Sequence, residues 1–196
     1  MDTLNLHKKI LSRPELNDIL QEYFDFEIIE PSLNTEEYFF KTYEKAIVIA
    51  KDASGGIFAL VGNGELENNP VIYISSEGDA GKVGGDFEEF LAVMVTCPYW
   101  LDLLKFSGNG QMSEMIKTLP FLNDEILEDF PEIENVKGKV IFELSIKKIS
   151  DPVETLHKSI VSDPQISVFS LKGDKYGSLF NSFVVTDNPL WRNKIQ

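Results

Sequence analysis

Three short apolar runs between residues 46 and 74 constrain the fold most strongly. Ala46–Ala50 and Ile57–Val61 are joined by Ser54-Gly55-Gly56, and Pro70–Ile74 follows after a polar loop. Short β-branched runs separated by a glycine-rich turn are typical of antiparallel hairpins. We therefore expect a three-stranded antiparallel meander, followed by a loop over Ser75–Lys82.

Helical patterns flank this meander. Ser12-Arg13-Pro14-Glu15 has the pattern of an N-cap serine with glutamate at the third helical position, and a shorter helix is expected over Leu4–Leu11. Asp86 predicts the cap of a later helix, which Pro98 should kink or split because proline lacks an amide hydrogen. The first helix carries an apolar stripe that we expect to face the core, formed by Leu16, Ile19, Leu20, Tyr23 and Phe24.

Helices are expected first in the section after Phe106, and strands afterwards. Met112–Leu119 and Asp124–Phe130 predict two short helices, because a proline follows each of them. Asp151 and Pro152 should begin another helix.

The strand predictions in this section rest on alternation and on a turn. Alternating residues over Val140–Ile146 favour a strand, although a helix also fits. The turn Lys172–Lys175 suggests a hairpin between Ile166–Leu171 and Tyr176–Phe180. The whole pattern predicts a single α+β domain over residues 1–196, with a central, mainly antiparallel sheet flanked by helices, a helical N-terminal segment and a C-terminal extension after about residue 107.

The charge balance limits the classes of partner. The 32 acidic and 18 basic residues give a net charge of −14, which repels phosphate backbones and anionic lipid surfaces. We therefore expect a protein partner, neither nucleic acid nor membrane. Cys97 is the single cysteine. An acidic residue at position 2 argues against a signal peptide, so we expect a cytoplasmic protein.

Catalytic patterns are not recognisable. His7 and His157 each stand beside a lysine without a second metal ligand, so both are expected at the surface or its boundary, and Cys97 is expected to be buried and structural. Gly62–Gly64 and Gly78–Lys82 lack the spacing of phosphate-binding loops and predict turns. We expect no enzyme activity, cofactor or metal, although the many carboxylates leave a two-carboxylate hydrolase open.

Acidic residues concentrate between positions 124 and 134. The acidic residues at positions 124, 125, 128 and 129 should share one face of a short helix. The opposite face would carry Ile126, Leu127 and Phe130. Like charges at this spacing destabilise a helix slightly, which suggests a docking face for a basic partner, while a simple solvated face remains the alternative. The candidate partner-binding residues are Asp124, Glu125, Glu128, Asp129, Glu132 and Glu134.

Three consecutive segments resemble the SUKH superfamily. Ser54–Leu60 is similar to the strand that follows a glycine pair in that family, and Pro70–Ile74 with Ser76-Glu77-Gly78 resembles its next strand and turn. Lys82–Leu91 resembles the start of its helix, in which small residues lead into Phe-x-x-Phe-Leu. The usual Leu-Pro and Asn-Gly-Gly of the family are not recognisable between Ile28 and Tyr43.

This resemblance implies a non-catalytic binding protein. Many bacterial members of the superfamily are immunity proteins that bind and neutralise polymorphic toxins, and others are regulatory interaction modules. We therefore expect a bacterial immunity protein whose acidic surface occupies the cleft of a basic toxin domain, such as a nuclease. A regulatory or scaffold module of the same fold is the alternative.

Overall fold

Seven strands form two antiparallel sheets in a computed structural model that describes residues 6–64 and 68–192. The strands are β1 (Glu27–Ser32), β2 (Phe40–Thr42), β3 (Ala46–Lys51), β4 (Ile57–Val61), β5 (Val71–Ile74), β6 (Ala80–Gly84) and β7 (Val168–Ser170). The larger sheet has the order β1-β3-β4-β5-β6, and β2 pairs with β7 in the smaller one.

Helices precede and follow the strands of the larger sheet. Those of the described residues are α1 (Leu6–Leu11), α2 (Pro14–Phe24), α3 (Phe87–Thr96), α4 (Trp100–Lys105), α5 (Met112–Asp129), α6 (Ile133–Leu144), α7 (Pro152–Val161) and α8 (Pro189–Arg192). The protein therefore has the α+β fold, with an antiparallel sheet flanked by helices, that the sequence predicts. Within the described ranges, no helix has the combined length and apolar character that crossing a bilayer requires.

The predicted meander is confirmed as β3, β4 and β5. Ala46 pairs with Val61 at one end of the first hairpin, and Leu60 pairs with Val71 in the next ladder. The predicted loop over Ser75–Lys82 is wrong in its last part, because β6 begins at Ala80 and pairs with β5. The glycines of β6 have low strand propensity, so the sequence pattern does not predict this strand. Packing requires a glycine at position 84, because an added Cβ would lie 2.7 Å from Cβ of Phe90.

One face of the larger sheet packs against the helices. Phe58 of β4 contacts Phe90 of α3 with ring centroids 5.3 Å apart, and Phe90 meets Trp100 of α4 edge to face at 5.7 Å. Met115 of α5 and Leu156 of α7 are buried in the same core. The section after residue 107 thus contributes to the main core of the protein.

The other face of the larger sheet is covered by the smaller one. Phe40 of β2 and Val168 of β7 point inward and are buried against Val48, Ala59 and Ile72. Burying a phenylalanine side chain stabilises a fold by roughly 1.5–3 kcal/mol, so Phe40 contributes to holding the short β2 in place together with its pairing to β7. This arrangement leaves the opposite face of β2 and β7 at the surface.

Two secondary-structure predictions after residue 107 are wrong, one of a pair of helices and one of a strand. The two short helices expected around Pro120 are one continuous helix, α5. Met115 and Leu122 are buried on either side of the proline, and this packing offsets the hydrogen bond that Pro120 cannot donate. The strand favoured over Val140–Ile146 is instead the end of α6, which buries Val140 and Leu144 four residues apart.

The C-terminal hairpin is only partly formed. The turn at Lys172–Lys175 is present, because the amide of Gly173 donates to the carbonyl of Ser170 and Phe169 forms a bridge with Lys175. The predicted second strand over Tyr176–Phe180 is absent from the described secondary structure, because this segment pairs with β7 only through the amide of Tyr176 and then bridges Asp79 at Gly177.

The helix ends follow capping rules at two of three predicted positions. The side chain of Asp86 accepts from the amide of Glu89 at 2.8 Å, and that of Asp151 accepts from Glu154 at 2.8 Å. Ser12 is not the cap of α2, because its hydroxyl donates to the carbonyl of Lys9 and Arg13 occupies the cap position. Pro98 does split the predicted helix into α3 and α4.

Candidate functional site

The six acidic candidate residues lie at the end of α5 and the beginning of α6, but they differ in their contacts. Glu125 accepts from the indole Nε1 of Trp191 at 2.5 Å. Glu132 accepts from the hydroxyl of Tyr23 at 2.8 Å. Glu125 therefore holds α8 against the end of α5, and Glu132 joins α2 to the beginning of α6.

Glu134 is also engaged within the chain. Its carboxylate forms an ion pair with Lys137 one turn later at 2.8 Å. Both residues line a cleft of about 240 Å³ between α3 and α6, together with Thr96, Gly138, Ile141 and Lys148. Ligand pockets usually measure ~300–1,000 Å³, so this cleft is small for an organic ligand.

Every member of the cluster except the half-buried Glu125 is exposed, and within the described residues Asp124, Glu128 and Asp129 are the members whose carboxylates form no hydrogen bond or ion pair. Asp124 and Glu128 lie four residues apart on the solvent side of α5. Leu127 accompanies them and is 46% exposed, so the expected opposition between this leucine and the carboxylates is wrong. The buried line of α5 runs through Met115, Thr118 and Leu122, and its continuation at helical spacing falls on Glu125 and Ile126, both half-buried.

The smaller sheet presents a second surface, which the sequence pattern did not predict. Lys41 of β2 lies directly opposite Phe169 of β7, and Phe169 lies opposite Lys175 across an isolated bridge. Directly opposed residues of an antiparallel pair point to the same face, here the outer one. Tyr43 contacts Phe169 with ring centroids 5.0 Å apart, and Phe39 immediately precedes β2. We call Phe39, Lys41, Tyr43, Phe169 and Lys175 the aromatic patch.

Two rings of the aromatic patch are unusually exposed. Phe39 is 70% and Tyr43 is 86% accessible to solvent. Phe39 also has a left-handed backbone conformation with φ 61° and ψ 23°, which costs a residue with a Cβ roughly 1–2 kcal/mol. Strain of this kind in a bulky residue is frequent at functional sites. The available signal was the density of aromatic residues between Tyr38 and Tyr43.

The buried carboxylate of Asp52 serves the β3–β4 turn. Its Oδ1 accepts from the amides of Ser54 and Gly56 at 2.9 and 2.7 Å, and its Oδ2 accepts from the hydroxyl of Tyr73 at 2.7 Å. Burial, with the hydrogen bond to Asp52, raises the pKa of Tyr73 far above its ordinary value. A tyrosine and a carboxylate held in this way stabilise the turn.

Lys82 is a buried cation with a structural contact. Its ammonium donates to the carbonyl of Ser162 at 2.9 Å, just beyond the end of α7. Burial lowers the pKa of Lys82, while Asp163 and Glu89 act in the opposite direction. Lys82 therefore joins the edge of the larger sheet to α7.

The histidines and the cysteine are held by the fold. His7 is buried, contrary to the surface position expected, with its Nε2 3.0 Å from the carbonyl oxygen of Ile29. His157 is half-buried as expected, and its Nε2 lies 2.9 Å from the carbonyl oxygen of Gly110. Cys97 is buried as expected, and burial raises the pKa of its thiol well above the ordinary range, which disfavours the reactive thiolate.

No metal-binding geometry occurs among the residues that the structure describes, because no three histidine, cysteine, aspartate or glutamate side chains come together there. The chain matches no protein-family model, no curated protein and no solved structure. The candidate sites are therefore two surfaces, an acidic one on α5 and the aromatic patch on the smaller sheet.

Proposed function

We propose that this protein works by binding another protein, and that it is an immunity protein which neutralises a basic toxin domain. The observation that supports this proposal is the exposed acidic group formed by Asp124, Glu128 and Asp129. Two of these like charges stand four residues apart, and Asp129 ends the helix, where the negative end of the helix dipole disfavours a carboxylate. The arrangement destabilises α5 locally, and a basic partner would relieve that repulsion.

Neutralisation would follow from occupying the toxin's cleft. Nucleases bind phosphates with lysine and arginine side chains, and carboxylates on a firm support can take the place of those phosphates. The end of α5 has such a support, because Trp191 and Tyr23 bind the neighbouring Glu125 and Glu132. The resemblance of Ser54–Leu91 to SUKH proteins agrees with this role.

Survival of a bacterial host tests the proposal. The chain is co-expressed with candidate toxin domains, beginning with the C-terminal domain of any large secreted protein encoded directly upstream of its gene, and we expect the wild-type chain to protect the cells from one of them. Reversing the charges with Asp124→Lys and Glu128→Lys should abolish protection. The matched control is Asp18→Lys with Glu22→Lys, because those carboxylates are also exposed and four residues apart on a helix.

The outcome separates two functions. Cells that die with the wild-type chain present would contradict immunity. The exposed aromatic patch would then favour the second candidate, a regulatory or scaffold module of the same fold. If the variant with Asp124→Lys and Glu128→Lys still protects the cells, the protein is an immunity protein that does not depend on the acidic face of α5.

A further inference from the structure

The aromatic patch combines rings with cations in one row. Lys41, Phe169 and Lys175 lie directly across from one another on three adjacent segments, so both lysines flank the Phe169 ring. Tyr43 packs edge-on against that ring. The inner residues of the same strands, Phe40 among them, fill the second core and hold the row in a fixed geometry.

The two lysines of the row are not neutralised within the described part of the chain. Neither Lys41 nor Lys175 forms an ion pair there, which is also true of other exposed lysines such as Lys45, and what distinguishes these two is their position on either side of Phe169. A protein with 32 acidic residues has many carboxylates available for pairing. Two unpaired lysines beside exposed aromatic rings therefore complement a ligand that brings both negative charge and apolar surface.

We propose that the aromatic patch is a docking surface for an acidic protein segment that carries an aromatic or large aliphatic residue between its carboxylates. The apolar residue of that segment packs against Phe39 and Tyr43, and its carboxylates pair with Lys41 and Lys175. Aromatic anchors surrounded by charge pairs are the usual composition of an interface centre. This surface is separate from the acidic residues of α5 and goes beyond the proposed function.

Single-stranded nucleic acid shares part of this chemistry, because bases stack on aromatic rings and phosphates pair with lysines. The net charge of −14 repels a nucleic acid more strongly than it repels a short acidic peptide, because the repulsion grows with every phosphate. Glu36, Glu37 and Glu44 add negative charge in the segments next to β2. The observations therefore favour the protein segment.

Selection from a random peptide library on the immobilised full chain tests the proposal. We expect enriched peptides to contain aspartate or glutamate around tryptophan, phenylalanine, tyrosine or leucine. Binding of a synthetic enriched peptide should weaken at least tenfold in a Phe39→Ala, Tyr43→Ala double variant, and also in Lys41→Glu, Lys175→Glu. All four side chains are exposed, so circular dichroism should show an unchanged fold in both variants.

Phe142→Ala is the matched control, because Phe142 is an aromatic residue 81% exposed on α6, outside the patch. It should leave peptide affinity within about twofold of wild type. Enrichment of basic peptides, no enrichment, or equal affinity in the patch variants would overturn the proposal. Ten-nucleotide oligo(dT) or oligo(U) that binds and is lost in the patch variants would replace it with nucleic-acid binding.

Discussion

The backbone strain at Phe39 gives a stability prediction that needs no partner. In the left-handed region an L-residue loses roughly 1–2 kcal/mol relative to glycine, whereas glycine elsewhere is less favourable than alanine by about 0.5–1 kcal/mol. Phe39→Gly and Phe39→Ala both remove the exposed ring, so their difference isolates the backbone. We expect the glycine variant to be the more stable one by about 0.5–1 kcal/mol.

Tyr43 supplies the matched position. It is 86% exposed, and it is not among the described non-glycine residues with positive φ, which are Asp25, Phe39, Asn109 and Ser145. Tyr43→Gly should therefore be less stable than Tyr43→Ala. The difference in unfolding free energy between the glycine and alanine variants is measured at each position, and the value at position 43 is subtracted from the value at position 39. This subtraction cancels the unfolded-state entropy of glycine and leaves the backbone strain, about 1–2 kcal/mol in favour of glycine at position 39.

Urea unfolding followed by circular dichroism measures all four variants. A difference of about 1 kcal/mol corresponds to a shift of roughly 2–4 °C in Tm for a chain of this size, so thermal unfolding gives a second reading. If glycine is less stable than alanine at both positions by the same amount, Phe39 is unstrained and the reasoning is refuted.

Three further predictions concern the buried polar groups. Lys82→Met should lower the free energy of unfolding by about 0.5–1.5 kcal/mol, because the Ser162 carbonyl loses the lysine ammonium but keeps its hydrogen bond from Nε2 of Gln165, and urea titration checks this. Tyr73→Phe should cost about 1.5–3 kcal/mol by the same assay, since the Asp52 carboxylate loses a hydrogen bond, and an unchanged midpoint would contradict the role assigned to that bond. Burial raises the pKa of Asp102 above its ordinary 3.8, so the folded state holds this proton more tightly and stability falls as pH rises through the raised pKa. Asp102→Asn should therefore be more stable than wild type at pH 7 and lose that advantage below about pH 3.8, as urea titrations at the two pH values would reveal.

Local signals were sufficient for part of the fold. The strands β3, β4 and β5 can be predicted from their short β-branched runs, and the helix caps at Asp86 and Asp151 can also be predicted from the local sequence. The β6 strand has no such signal, because Gly81 and Gly84 have low strand propensity and only pairing with β5 keeps them extended. Pro120 shows the converse, since packing overrides a local helix breaker.

Long-range contacts also decided which surface residues are available. The sequence placed Glu125 and Glu132 in the acidic cluster correctly, but their hydrogen bonds come from Trp191 and Tyr23, which are 66 and 109 residues away. The aromatic patch depends on the pairing of Lys41 with Phe169, which lie far apart in the chain. Side-chain type and spacing alone do not contain that information.

The central claim is that carboxylates at the end of α5 bind a basic toxin domain directly. Isothermal titration calorimetry of the purified chain against the toxin domain from which it protects cells, at increasing NaCl, tests this claim. We expect one-to-one binding that weakens with salt, and a shallower salt dependence for the Asp124→Lys, Glu128→Lys variant. Binding of the same strength at every salt concentration, or one that this variant leaves unchanged, would contradict it.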